Sequence, residues 1–152
     1  MEHQNGRSLR DKAARSGAPQ SRLEVDALLE KSDRSRVMTA LRRWLDLEDE
    51  HKQLKQQAVH IRSALDDKVL GRLLEDRAVD VSQTLIRLGR ELIELQAIQP
   101  ADVGAKAYVL LQISTLCEEQ TMLAGMCEQI RIDIDQLEIK IERPTSNRKK
   151  AG

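Results

Sequence analysis

Nine positions, Val37, Ala40, Trp44, Leu47, His51, Leu54, Ala58, Ile61 and Leu65, succeed one another in alternating steps of three and four residues, with no Gly or Pro between them. Side chains at that spacing share one stripe of a helix, and a helix with an oily edge must bury it against another helix. A second stripe, Leu74, Ala78, Val81, Leu85, Leu88, Leu92 and Leu95, follows one residue out of phase. The slip falls on Asp66-Asp67 and Gly71, which predicts one break between Asp66 and Asp80, with Asp80 as a possible second helix start.

Further punctuation is sparse. Ser32-Asp33 offers a start for the first long helix, with Asp33 able to cap it. Pro100 ends a helix near Ala97, and Asp102 is placed to cap the next. So short a connection makes its flanking helices antiparallel neighbours. From Asp102 the spacing predicts one unbroken terminal helix to Glu142, carrying Leu123, Cys127, Ile130, Ile134, Leu137 and Ile141 on a stripe. Residues 130–142 also alternate apolar and polar as a strand would, but the alternation changes phase at Gln136-Leu137 while the helical stripe continues. Helix is the better reading, because no partner strand exists elsewhere.

The composition suits narrow aliphatic seams: 33% of residues are charged and 1% aromatic, with no Phe and single Trp44 and Tyr108. A compact enzyme core would recruit more aromatic area, which weighs against catalysis. The expected fold is all-α: an elongated antiparallel helical hairpin or three-helix bundle, coiled-coil-like, with one helical domain over 22–142 between basic, disordered tails at 1–21 and 143–152. At 1.5 Å per residue the terminal helix would span roughly 60 Å and residues 33–97 roughly 95 Å. A simple hairpin would leave the Trp44 end uncovered, so the first segment folds back or a second copy covers it.

Charge is unevenly spread despite a formal net of zero. Residues 1–22 hold five Lys/Arg against two acids, residues 143–152 four against none, and residues 23–142 hold 16 against 23. No apolar run is long enough to span a bilayer, and the N-terminus lacks the apolar stretch of a secretory signal, so a cytoplasmic protein is expected. Cys117 and Cys127 would lie about 15 Å apart on one helix, too far to bridge, and read as structural thiols.

No catalytic constellation, metal motif or phosphate loop is present, and no cofactor is implied. His51 sits on the seam as a register-fixing polar residue, and His60 lies half a turn away, so the two cannot chelate one ion. His60–Leu65 resembles the phosphoacceptor box of histidine kinase dimerisation helices, but lacks the acid after the histidine and has Ala64 where proline is usual; a degenerate phosphotransfer hairpin through His60 is the lesser alternative. Asp133, Asp135 and Glu138 lack the glycine and spacing of a calcium loop. Ile132 and Ile139 lie opposite the terminal seam, which implies packing on two sides. The reading is a non-enzymatic helical interaction module (scaffold, adaptor or small chaperone) that binds itself and another protein through Trp44, Leu47, Leu54 and Ile61 on one helix and Ile132 and Ile139 on the other. The alternative is a nucleic-acid-associated accessory protein using tail residues Arg148, Lys149 and Lys150.

Residues Glu91–Leu116 resemble a pattern in small uncharacterised helical proteins of α-proteobacterial genomes. Pro100-Ala101-Asp102 and Gly104-Ala105-Lys106 carry the likeness, with spacing two residues tighter than the pattern. It implies a bacterial helical protein with no assigned activity, and no site residue is carried over.

Overall fold

The computed structural model describes the backbone of residues 19–151 and side chains through Glu138. Among the described residues there are five helices and no strand: α1 (Arg22–Lys31), α2 (Arg36–Ala64), α3 (Lys68–Glu94), α4 (Pro100–Leu116) and α5 (Gln120–Ala151). The all-α expectation holds. Of the N-terminal tail read at 1–21, residues 1–18 lie outside the described residues, whereas Pro19 is buried beside Gly104 of α4 and Ser21 caps α1. The helix expected to end near Pro144 runs to Ala151.

The break in the first long segment falls at the edge of the expected window, and two aspartates make it. Leu65 N–H and Asp67 N–H both donate to the Ile61 carbonyl, while Asp66 takes a left-handed φ of 48°. That is a helix-ending motif with Asp where glycine is commoner, tolerated because a short polar side chain suits this conformation. Asp67 then caps α3, its Oδ1 accepting from Leu70 N–H at 3.0 Å. Asp80 starts nothing; α3 passes straight through it. At the other end of α2 the cap is Ser35, not Asp33: Ser35 Oγ accepts from Met38 N–H at 3.0 Å.

The terminal segment is not one helix. It stops at Cys117, whose backbone is extended (φ −143°, ψ 133°), and restarts at Gln120. Neither Gly nor Pro marks this reversal. The packing explains it: α4 is buried almost all round, through Ala105, Tyr108, Val109, Leu110 and Ile113, so it is the central helix. Turning back lets α5 lay Met126, Ile130 and Leu137 along the bundle. The cysteines thus sit on separate elements, both half-buried, with no disulfide between them.

α2 and α3 form an antiparallel hairpin, and α4 fills its open half, with α1 and α5 packed beside α4. Trp44 anchors that half. Its ring meets Tyr108 edge-on at 6.2 Å and 88°, and its Nε1–H donates to the Leu85 carbonyl at 2.9 Å. Among the described residues, the closed half of the hairpin receives no such cover. Between Lys52 and Arg77 only Ala58 and Gly71 are buried, so this stretch is a two-helix arm, with about 20 Å of α2 beyond the bundle. The uncovered end is therefore the turn end, opposite to the Trp44 end that length arithmetic left bare.

Candidate interaction surface

The arm holds itself together by a thin seam. Leu54, Ile61 and Leu74 are half-buried along it, Arg62 pairs with Glu75 at 2.7 Å, and Arg77 with Glu50 at 3.6 Å. Outside the seam, Val59, Leu65, Val69, Leu73 and Val79 are each more than half exposed, an unusual concentration for so short a segment. Leu65 caps the end of α2, and by helical position the other four fall on two faces. Val59 and Val79 edge a groove whose floor is Ala58 and Ala78 and whose upper end is closed by Thr115 and Leu116. Val69 and Leu73, one turn apart, lie on the far side of α3 near the turn.

His51 stands where the groove enters the bundle. Burial first, and then the positive charges of Lys55 and Lys52, lower its imidazole pKa from 6.5. His60 is exposed farther along the arm. Among the described residues no group of His, Cys, Asp and Glu is arranged to hold a metal ion, and no helix is long and apolar enough to cross a membrane.

Three polar clusters lie in the bundle, and all are saturated by protein partners. Arg22 forks onto Asp49 at 2.8 and 3.0 Å, while Tyr108 Oη donates to Glu48 at 3.1 Å. Burial, with the neighbouring Glu48 charge, raises the Tyr108 pKa far above the usual phenol range. Asp102 accepts from Ser35 Oγ at 2.7 Å, from Ile98 N–H at 2.9 Å and from Gln99 Nε2 at 3.1 Å, tying the α1–α2 and α3–α4 connections together. It sits in the first turn of α4 rather than at its cap, which is Gln99. Lys106, fully buried, bonds the Leu95 carbonyl and pairs with Asp133 of α5 at 2.5 Å. All three clusters join helices; Lys106 and Asp133 are closed off from solvent, whereas Arg22 and Asp49 keep part of their surface exposed.

The residues read as an interface are not brought together. Trp44 is 1% exposed and serves the chain's own core; Leu47 and Leu54 are partly buried against that core, and Ile61 lies in the arm's seam. Ile132, 36% exposed, sits on α5 away from the arm, and the side chains of Ile139, Arg148, Lys149 and Lys150 lie outside the described residues. The groove's Val59 and Val79 were missed although each directly follows a seam alanine. An off-stripe aliphatic residue is the same signal that singled out Ile132.

No protein-family model, curated protein or solved structure matches the chain.

Proposed function

We propose that this protein is a non-enzymatic helical scaffold or adaptor of the bacterial cytoplasm, with the bundle as a base and the α2–α3 arm as the docking element for another helical protein and for a second copy of itself. The observation that carries the reading is the cluster of five large aliphatic side chains, each more than half exposed, on and beside an arm that no third helix among the described residues covers. Two-helix hairpins bury little apolar area, and a further helix against them completes a bundle. The Val69–Leu73 face, close to the turn, suits self-association because two copies can meet there about a two-fold axis with their bundles apart.

Light scattering over a broad concentration range, on the full chain and on a Val69→Lys, Leu73→Lys variant, tests the self-association. The expected outcome is a concentration-dependent mass in the parent and a monomer in the variant, with helicity and melting of the bundle retained. A chain that stays monomeric, and that yields no product from a photo-cross-linking side chain at Val59 or Leu73 in native extract, would overturn the reading.

One observation favours a second reading, that of a nucleic-acid accessory protein. Arg34, Arg36 and Arg43 line a groove at the start of α2, and no carboxylate forms an ion pair with any of them among the described residues. Unpaired guanidiniums suit phosphate. Salt-sensitive duplex binding that Arg34→Gln, Arg36→Gln and Arg43→Gln abolish would establish this reading; no binding at low salt would exclude it.

A further inference from the structure

We infer that the arm groove takes an acidic amphipathic helix of a partner protein, seated in line with α4. The inference rests on the docking role proposed above and specifies the occupant of one face.

The shape of the occupant follows from what fills the same hairpin higher up. In the bundle, α4 lies against α2 and α3 where Gly89 brings backbone close: a Cβ there would stand 2.2 Å from Ile113 Cδ1. α4 ends at Leu116, and the concave side of the hairpin continues beyond it with Ala58 and Ala78 as its floor. Small floor residues allow another helix axis to approach, and Val59 and Val79 on the two edges supply apolar walls. The space is that of a helix of about four turns.

The charge of the occupant follows from the rims. Helical spacing places Lys52, Lys55, Val59 and Arg62 along the α2 edge, and Arg72, Glu75 and Val79 along the α3 edge. Glu75 is the acid that lines the groove, and Arg62 already pairs with it at 2.7 Å; Asp76, one turn from Arg72, lies on the outer side of the same edge. Lys52 has only a 3.6 Å contact to Glu48, and no ion pair involves Lys55 or Arg72. The rims therefore carry an excess of positive charge over an apolar floor, with Lys55 and Arg72 the cations that no carboxylate among the described residues pairs. A copy of the same face would bring like charges together, which argues against self-pairing through the groove.

The probe is a pair of designed peptides of about two heptads with the same Leu/Ala seam, one flanked by Glu and one by Lys, titrated into the full chain by fluorescence anisotropy. The Glu-flanked peptide is expected to bind at least about tenfold more tightly than its Lys-flanked isomer. Lys55→Glu with Arg72→Glu should reverse that order, and Val59→Asp with Val79→Asp should abolish both interactions while bundle melting stays intact. Equal affinities, an order that the charge reversal leaves standing, or no binding by either peptide would overturn the inference. If the arm still cross-links to another protein or self-associates in the assays above, the docking role survives and only this occupant is wrong. If those fail as well, both fall.

Discussion

Gly89 and Gly71 lie on the same helix and have opposite neighbours. A methyl group at Gly89 would meet Ile113, Val109 and the Trp44 indole nitrogen together, inside a packed core; at Gly71 it would meet the stem of one exposed arginine, Arg62. Gly89→Ala should therefore cost on the order of 1–3 kcal/mol through overpacking. Gly71→Ala should cost less than half as much, because Arg62 can swing aside and alanine favours the helix. Urea midpoints of the two variants check the ranking. Lys106 supports a sharper prediction. Lys106→Met leaves Asp133 buried without its cation and should cost about 3–5 kcal/mol, whereas Lys106→Met with Asp133→Leu should recover most of that loss. A double variant no more stable than the single one would mean that the Leu95 carbonyl, rather than the ion pair, sets the cost. The sequence presents Asp133 with Asp135 and Glu138 as acids that lack a calcium loop, and Lys106 only as part of the Gly104-Ala105-Lys106 likeness. Each reads as surface charge until α5 folds back and places one against the other.

At the scale of elements, α2 joins two environments, and His51 marks the junction. Its folded-state pKa lies below 6.5, so the unfolded chain takes up a proton first as pH falls. Stability should accordingly drop as pH descends through the ordinary imidazole value, level off below the folded value, and be independent of this group above it. His51→Gln should flatten the dependence between about pH 7.5 and 5.5 in denaturant titrations. Fraying follows the same division. Amides of α2 and α3 near the Asp66-Asp67 turn should exchange with solvent well before those around Leu85 and Leu92, which are 1% exposed beneath α4 and α5. Equal protection along the whole hairpin would mean that the arm is covered in solution, and dilution would then show whether a second copy covers it.

For the whole molecule, the local pattern determined much. Unbroken three- and four-residue steps marked α2, α3 and α5 as helical, the phase slip placed a break between Asp66 and Asp80, and Pro100 marked the turn before α4. Those features are legible because caps, breakers and periodicity act over one or two turns of chain. The reversal at Cys117 was not, since α4 is apolar on nearly every side and has no stripe whose phase could slip. Periodicity likewise reports which edge of a helix is oily but not what lies against that edge. Trp44, at one end of the α2 seam, came to be enclosed by α4 and Tyr108, while Val59 and Val79 were left facing water. Only the tertiary structure decided which half of the hairpin received a third helix, because that depends on contacts between segments some 40 to 60 residues apart, such as Trp44 with Leu85 and Glu48 with Tyr108.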